Sequence, residues 1–296
     1  MTDQDWLAER FEEHRSRLRA VAYRMLGSLS EADDAVQDAW LRVSRADTSE
    51  VDNLAAWLTT VVARVALNML RSRNTRREQP LEVHLPDPVV DPADGTNPEH
   101  EALLADSVGL ALLVVLEALS PAERLAFVLH DMFAMPFEQI APIVERSPEA
   151  TRQLASRARR RVRGTAVPDA PLTDQWQVVD AFLAAAREGD FDALVAILDP
   201  DVVLRADGGI TGLSHQAEGA QAVAKQASMW ARTVGAQPGL TIRRALINGA
   251  AGVVSEREGK PFSIGAFTIK NGKIAELDFL VDPERLAQLD LTVLEG

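Results

Sequence analysis

Apolar residues recur at helical spacing through the first quarter of the chain. One stripe runs from Trp6 to Met25. Ser30 is the predicted N-cap residue of a second helix, because Asp33 follows three positions later as in a capping box. A third stripe predicts a helix over about 54–73. The first part of the chain is therefore predicted to be a bundle of helices.

Prolines and aspartates interrupt this pattern over residues 79–97, which are predicted to form an extended, acidic linker. Helical spacing then resumes, and Ser120 and Glu123 form a capping box at the start of a new helix. A short helix over about 137–144 is followed, after a tight connection, by a helix that Ser147 caps. Two short helices joined in this way, with an outward polar face on the second, are typical of a helix-turn-helix.

The pattern changes again beyond about residue 172, where two helical stripes precede segments of alternating apolar and polar residues. Asn271-Gly272 is a strong hairpin signal between two of these segments. This order of elements, with a further helix over about 220–233, predicts a curved antiparallel sheet wrapped on helices. The predicted strands are Val202–Arg205, Leu240–Ile247, Gly252–Glu256, Phe262–Ile269 and Ile274–Phe279.

The predicted fold class is multidomain. Two all-α domains, a helical bundle and a helix-turn-helix domain, are followed by an α+β domain. The predicted boundaries are 1–77 for the bundle, 78–102 for the linker, 103–164 for the helix-turn-helix domain, 165–172 for a short linker and 173–296 for the α+β domain.

Composition and charge restrict the functions that are open to this chain. A formal net charge of −13 argues against wholesale coating of nucleic acid, so any such contact must be local. The absence of cysteine excludes disulfides and thiolate chemistry, and the histidines lack metal-ligand spacing. No metal or cofactor is predicted. The N-terminus is charged and no apolar run approaches a membrane span of about 20 residues, so a cytoplasmic protein without membrane contact is predicted.

Residues 147–164 are the local exception to the acidic composition. Arginines recur from Arg152 to Arg163 without any acidic residue between them. Arginine presents a planar fork that fits phosphate oxygens and guanine edges, so the helix-turn-helix setting favours DNA binding. A solvated basic face is the alternative. The side predicted to be buried consists of Ala150, Leu154, Ala158 and Val162.

A second polar face lies on the third helix and includes Asn68 and Arg71. It would act as a second DNA reader, joined to the first by a flexible strap. Trp57 on the same helix has two interpretations: it holds an unstacked base, or it is an ordinary core aromatic. The acidic face of the second helix, Asp34 and Asp38, repels DNA and is either solvated or a docking surface for a basic protein.

Three stretches occur in a fixed order along the chain: SEADDAVQDAWLRV, NLAAWLTTVVARVALNMLRSRNTRRE and LSPAERLAFVLHDMFAMPFEQIAPIVERSPEATRQLASRARRRV. They resemble the two conserved domains of bacterial extracytoplasmic-function (ECF) sigma factors, over about residues 5–77 and 103–164. The third domain resembles the SnoaL-like (NTF2-like) extension of one branch of that family. The resemblance implies a non-enzymatic protein whose partners are core RNA polymerase and promoter DNA.

The resemblance also assigns roles to the polar faces. The residues implied in core polymerase binding are Asp34, Gln37, Asp38, Trp40 and Leu41. Those implied in contact with the minus-ten element are Asn53, Trp57, Thr60, Arg64, Asn68, Arg71 and Arg73. Those implied in contact with the minus-thirty-five element are Arg152, Gln153, Ser156, Arg157 and Arg160.

In that branch the linker carries a motif ending in Leu-Pro-Glu-Pro, and the extension carries Asp-Gly-Gly-Gly and Asn-Pro-Asp. The counterparts here are Leu85-Pro86-Asp87-Pro88, Asp207-Gly208-Gly209-Ile210 and Val281-Asp282-Pro283-Glu284. The linker's usual tyrosine and tryptophan are absent. The resemblance implies that the third domain grips the linker and controls the two helical domains. The implied regulatory residues are Leu85, Pro86, Asp87, Pro88, Asp207, Gly208, Gly209, Asp282 and Pro283.

Two other functions stay open. A helix-turn-helix regulator would sense a small molecule through the third domain without recruiting polymerase. An NTF2-like enzyme with a DNA-binding appendage would use Asp207 and His215 as an acid/base pair. A satisfied polar pair, or a plain turn at Asp207-Gly208-Gly209, is the favoured explanation of this aspartate. A small-molecule ligand in the third domain is left open in either case.

Overall fold

The computed structural model describes residues 3–46, 51–76, 83–95, 100, 103, 109–166, 168–209, 214–235 and 238–294. The chain forms two compact units. The first unit consists of residues 1–79, 99–106 and 113–165, and the second of residues 80–98, 107–112 and 166–296.

The first unit begins with three long helices that pack against one another. Their apolar stripes meet in a common core that includes Leu18, Val21, Leu58 and Val62. The third helix is, within the described part of the chain, the one with the length and apolar composition of a membrane span, and its buried residues belong to this core. The helices are α1 (Asp3–Leu26), α2 (Leu29–Val43) and α3 (Leu54–Arg76).

The cap of α2 differs from the prediction. Ser28, and not Ser30, is the N-cap residue: its backbone is extended and its hydroxyl accepts a hydrogen bond from the Glu31 amide. The reason is the short corner between α1 and α2. Gly27, with a φ of 72°, reverses the chain directly after α1, so Ser30 already lies in the first turn of α2.

The predicted helix-turn-helix is confirmed in the second half of the first unit. Ser120 and Glu123 form the reciprocal capping box expected from the sequence. A left-handed residue, Glu145, ends one short helix, and Ser147 caps the next. The elements are α4 (Leu110–Glu117), α5 (Pro121–Phe127), a π-helical turn (Val128–Met132), α6 (Phe137–Val144) and α7 (Pro148–Val162). Residues 104–108 of the predicted helix before α5 lie outside the described residues.

Both groups of helices share the first unit, because α5 and α6 contact α3. A buried arginine also joins α5 to α1: Arg124 is 4% exposed and donates from Nη1 to the Met25 carbonyl at the end of α1 (2.7 Å). A second buried arginine, Arg24 of α1, lies 5.1 Å from the ring centre of Phe133, which follows the π-helical turn. The bundle and the helix-turn-helix are therefore packed together in this state.

The second unit contains a seven-stranded sheet of order β1-β4-β5-β6-β7-β2-β3. The sheet is mixed, which corrects the antiparallel prediction, because β2 pairs in parallel with β7. After β2 and β3, a helix (Ala220–Trp230) precedes the antiparallel run from β4 to β7, and the last strand of this run lies beside β2 in the same direction. The predicted hairpin at Asn271-Gly272 is confirmed between β6 and β7. The α+β fold class predicted for this domain is thereby confirmed.

Helices cover one side of this sheet and form its core with Val179, Phe182, Phe267 and Leu277. The helical and turn elements are α8 (Leu172–Glu188), α9 (Phe191–Ile197), α10 (Ala220–Trp230), a π-helical turn (Ala231–Gly235), α11 (Pro283–Leu286) and a 3₁₀ turn (Thr292–Leu294). The strands are β1 (Val90–Pro92), β2 (Leu198–Asp207), β3 (His215–Glu218), β4 (Leu240–Ile247), β5 (Ala250–Arg257), β6 (Lys260–Lys270) and β7 (Lys273–Leu280).

The described part of the linker belongs to this second unit and is not a flexible strap. Leu85, Val89 and Val90 are buried, and β1 adds to the sheet as an antiparallel neighbour of β4. The prediction of a flexible strap was wrong. It was based on the prolines and aspartates that dominate the composition of the linker. Its few apolar residues find partners only after the chain has folded.

Candidate nucleic-acid interface and linker contact

Helix α7 presents the residues predicted to contact the minus-thirty-five element. The Ser147 hydroxyl accepts from the Ala150 amide (3.2 Å) and fixes the start of the helix. The side turned inward consists of Thr151, Ala155 and Ala158, whereas Ala150, Leu154 and Val162 of the predicted stripe are only half-buried. The predicted contact residues are all exposed: Arg152, Gln153, Ser156, Arg157 and Arg160.

Other arginines of α7 support the helix. Arg159 donates from Nε to Asp131 (2.6 Å), and Arg161 pairs with the buried Glu123 of the α5 cap (3.3 Å). These ion pairs tie α7 to α5 and to the π-helical turn that follows α5. The sequence shows a single run of arginines, so it could not separate the supporting residues from the exposed ones.

Helix α3 carries the residues predicted to contact the minus-ten element. Asn53 caps the helix, because its Oδ1 accepts from the Ala56 amide (3.0 Å). The Thr60 hydroxyl donates to the Ala56 carbonyl (2.9 Å), and Trp57 is half-buried. The exposed members of the set are Asn53, Arg64, Asn68 and Arg71.

Arg73 differs from the rest of this set because it is tied to the corner between α1 and α2. Its Nη1 donates to the Leu26 carbonyl (3.2 Å) and its guanidinium pairs with Glu31. Arg73 therefore stabilises the packing of α3 against the corner between α1 and α2. Its position in a basic run of the sequence did not indicate this role.

The face of α2 predicted to bind polymerase is exposed at Asp34, Gln37, Asp38 and Leu41. Leu41 is 47% exposed, which is unusual for a large apolar side chain. Trp40 is half-buried, with its ring centre 5.1 Å from that of Phe11 in α1. An apolar residue framed by carboxylates on a rigid helix suits a partner that is both basic and apolar.

The linker contact centres on Asp207 at the end of β2, which is 2% exposed. Its Oδ2 accepts from the Leu85 amide (2.8 Å) and from Nη1 of Arg285 (2.6 Å). The same arginine donates from Nη2 to the Leu85 carbonyl (2.7 Å) and to Asp87 (2.6 Å). One guanidinium thus joins the strand, the linker backbone and a linker carboxylate, as the fork of five donors allows.

The glycine-rich motif at Asp207-Gly208-Gly209 directly contacts the proline-containing motif at Asp282-Pro283. A Cβ on Gly209 would lie 2.1 Å from Oδ2 of Asp282, and the glycine has a φ of 65°. Asp282 in turn caps α11 by accepting from the Glu284 amide (2.9 Å), and Pro283 occupies the first helical position. Gly208 donates its amide to Ser214 (3.1 Å), and Ile210 lies outside the described residues.

A second anchor holds the linker at Val89, one residue before β1. Val89 donates its amide to Oδ1 of Asn248 (3.2 Å) and accepts from the Asn248 amide (2.8 Å). Pro86 and Pro88 between the two anchors are buried. The sequence prediction missed Arg285 and Asn248. Asn248-Gly249 could have been found as a hairpin signal, but nothing in the sequence pairs either residue with the linker.

The contacts of Asp207 and His215 do not form the acid/base pair considered from the sequence. His215 Nε2 lies 2.7 Å from Oε1 of Gln226 on α10, while Asp207 is held by Arg285 and the linker. The two side chains therefore have separate partners and are not hydrogen-bonded to each other in the described structure. The geometry therefore favours a structural role for Asp207.

A buried ion cluster lies on the neighbouring strands. Arg205 of β2 donates to Glu276 (2.7 Å) and Asp278 (2.9 Å) of β7. Burial raises the pKa of Asp278 to about 6, because removing the carboxylate from water outweighs the opposing attraction of Arg205. Asp278 is therefore a group that titrates near neutral pH in the body of the second unit.

Comparison with known proteins finds family matches for both helical parts of the chain. The Sigma-70 region 2 model matches residues 10–76, and the Sigma-70 region 4 model matches residues 109–162. The ECF RNA polymerase sigma factor SigJ of Mycobacterium tuberculosis is 38% identical over 93% of this chain and 91% of its own length. A probable ECF RNA polymerase sigma factor of the same species, SigI, is 35% identical over 98% of both chains.

The similarity extends to the three-dimensional structure. The crystal structure of Mycobacterium tuberculosis SigJ superposes with a TM-score of 0.77 at 34% sequence identity. The superposition covers 96% of this chain and 99% of the SigJ chain.

Proposed function

Because this chain belongs to the ECF RNA polymerase sigma factors, which recruit core polymerase and recognise promoters, we propose that its exposed helical faces divide these tasks. The exposed face of α2, with Asp34, Gln37, Asp38 and Leu41, is the proposed polymerase surface, and Trp40 supports it from beneath. The combination of exposed carboxylates and an exposed leucine supports this role, since a basic helical partner would satisfy both.

Promoter recognition is assigned to α3 and α7. Arg64, Asn68 and Arg71 are proposed to contact the minus-ten element, with Asn53, Trp57, Thr60 and Arg73 shaping the same helix. On α7, Arg152, Gln153, Ser156, Arg157 and Arg160 are proposed to enter the major groove at the minus-thirty-five element. Arginine and amide side chains supply both phosphate contacts and base-edge contacts.

The compact first unit implies that its two helical groups separate when the protein binds a promoter. The names of the minus-ten and minus-thirty-five elements place them about 25 base pairs apart, which is roughly 85 Å of duplex. A compact body of about 140 residues has a radius of gyration of about 14 Å and is only about 40 Å across. Helices α3 and α7 cannot reach both elements while α5 and α6 stay packed on α3. We infer that the described arrangement is a resting state.

The second unit is proposed to regulate the sigma factor in cis and to have no catalysis of its own. The support is its grip on the linker through Arg285, Asp207 and Asn248, together with strand β1. A linker held by a folded domain cannot extend freely, so this grip would restrict how far the two helical groups separate. The site of action of such a protein would be the cytoplasm.

The proposed polymerase surface is tested by charge reversal. Asp38→Arg should reduce co-purification with core polymerase and promoter-dependent transcription at least 10-fold, because it places a cation against a basic partner. Glu188→Arg, an equivalent reversal at an exposed position of α8, serves as the control and should leave both unchanged. Undiminished polymerase binding by Asp38→Arg would contradict the assignment.

A further inference from the structure

A cavity of about 360 Å³ lies in the second unit between helix α8, the end of α10 and strands β4 and β5. Its apolar walls are formed by Leu183, Trp230, Leu240, Ile242 and Val253. This volume falls within the roughly 300–1,000 Å³ of small-molecule pockets. Ile242 is 37% exposed, so part of its apolar surface is open to solvent.

Local backbone geometry and small side chains keep this space open. Phe182, one position before Leu183, fills the adjoining core by packing against Phe267, with ring centres 5.7 Å apart. At the cavity the corresponding wall consists of Ala231 and Gly235, which begin and end a π-helical turn. Such turns widen a helix and are frequent at functional sites. A Cβ on Gly235 would lie 3.5 Å from the Trp230 ring, so the glycine provides a close backbone wall for the indole.

The charges at the cavity leave one cation in excess. Asp180 is neutralised by two hydrogen bonds from Arg244, whose guanidinium also stacks 5.3 Å from the ring centre of Trp176. Arg187 also lines the cavity, and the hydrogen bond described for it, from Nε to the Leu183 carbonyl of its own helix, leaves both Nη groups available. The cavity lining therefore carries a net positive charge, although the chain as a whole has a formal charge of −13. A positive lining favours the binding of an anionic ligand.

We propose that this cavity is a binding site for a small aromatic carboxylate. The aromatic ring would pack against Trp230 and the aliphatic wall, and the carboxylate would pair with the two Nη groups of Arg187 in the bidentate geometry that guanidinium favours. The same domain that holds the linker would then carry a ligand site, so a metabolite could bias the sigma factor. Ligand binding itself does not depend on promoter recognition.

The test uses the full-length chain and three probes in isothermal titration calorimetry. The probes are 2-naphthoate, its neutral analogue 2-naphthalenemethanol, and acetate. We expect 2-naphthoate to bind with one site and a dissociation constant below about 1 mM, the alcohol to bind at least 10-fold more weakly, and acetate not to bind. The absence of saturable heat with 2-naphthoate would overturn the proposal, as would equal binding of the alcohol.

Two variants locate the binding site. Arg187→Gln should weaken 2-naphthoate at least 10-fold and leave the alcohol unchanged, because only the charge is removed. Lys225→Gln, an exposed cation of α10 that does not line the cavity, is the matched control and should bind as the parent protein does. Equal loss in both variants would show a nonspecific charge effect and overturn the site. Thermal unfolding of each variant confirms that the fold is intact.

Binding and transcription are measured separately in these experiments. A chain that binds 2-naphthoate but fails to recruit polymerase would contradict the proposed sigma surfaces and leave the ligand site standing. A chain that supports transcription but binds no probe would contradict the ligand site and leave the proposed sigma surfaces standing.

Discussion

At the scale of single residues, the contact between Gly209 and Asp282 is set by the absence of a side chain. Gly209→Ala would place a Cβ 2.1 Å from the Asp282 carboxylate and would also strain a backbone with a φ of 65°. We expect the unfolding free energy of the second unit to fall by more than about 2 kcal/mol. Chemical denaturation followed by circular dichroism measures this loss.

Gly189 provides the control for this prediction. It also has a positive φ, 73°, at the end of α8, but a Cβ there would meet nothing within 4 Å. Gly189→Ala should therefore cost only the backbone strain of about 1 kcal/mol. Equal losses in the two variants would contradict the steric role of Asp282.

Asp278 makes the stability of the second unit depend on pH. Its folded-state pKa of about 6 lies above the ordinary value of 3.8, so the neutral acid is favoured in the folded protein. The contribution of Asp278 to stability is full below pH 3.8 and is lost as the pH rises through 6. Between these values the loss amounts to about 3 kcal/mol at 1.36 kcal/mol per pKa unit.

Asp278→Asn isolates this effect from the other carboxylates. Its amide cannot titrate, so the unfolding free energy of the parent protein should fall relative to the variant as the pH rises from 4 to 6.5. Urea titrations at each pH measure the difference. A difference that is constant with pH would show that Asp278 does not titrate in this range.

Several residues have structural contacts that their assigned roles did not indicate. Asn53 and Arg73 were placed in the minus-ten set by resemblance, yet one caps α3 and the other ties α3 to the corner after α1. Both assignments to the minus-ten set stay predictions. The cap at Asn53 is a local contact, three residues from Ala56, whereas Leu26 and Arg73 are brought together only by the packing of two helices.

At the scale of elements, the linker segment 85–92 depends on Arg285. Arg285→Gln should remove the guanidinium that pairs with the buried Asp207 and speed amide exchange at Leu85 and Val89 about 10-fold or more. Hydrogen exchange with mass spectrometry of the linker peptides measures this change.

Arg232→Gln is the matched control for the linker experiment. Arg232 is exposed in the π-helical turn after α10 and bonds within its own turn, to the Ser228 carbonyl (3.3 Å). Exchange in the linker should not change in this variant. Protection that also persists in Arg285→Gln would mean that β1 alone holds the linker.

Elements were predictable wherever a local signal fixes them. The capping box at Ser120, the cap at Ser147 and the hairpin at Asn271-Gly272 each involve residues within a few positions of one another. Strand β1 had no such signal, since three residues in a proline-rich segment become a strand only through pairing with β4. The parallel pairing of β2 with β7 was missed for the same reason.

At the scale of the whole molecule, opening of the first unit can be followed by fluorescence. The chain has no cysteine, so Glu12→Cys on α1 and Gln139→Cys on α6 give two unique labelling positions that are exposed. We expect high energy transfer in the free protein, whose first unit is only about 40 Å across. Transfer should fall on addition of core polymerase and promoter DNA, as the helical groups separate toward roughly 85 Å.

Two cysteines on α1 alone, at the exposed positions Glu9 and Glu12, should show no such change and serve as the control. Unchanged transfer between α1 and α6 in the transcribing complex would contradict the inference that the compact first unit is a resting state.

The sequence by itself determined the helices, the caps at Ser120 and Ser147, the helix-turn-helix, the family resemblance and the exposed face of α7. These depend on periodicity and on neighbours a few residues apart. Tertiary structure alone decided that Arg124 of α5 reaches the end of α1, that the linker joins the sheet as β1, and that Arg285 reaches Asp207 and Asp87. The physical reason is sequence separation: these groups gain their partners only when distant segments bury one another, and no local pattern records that meeting.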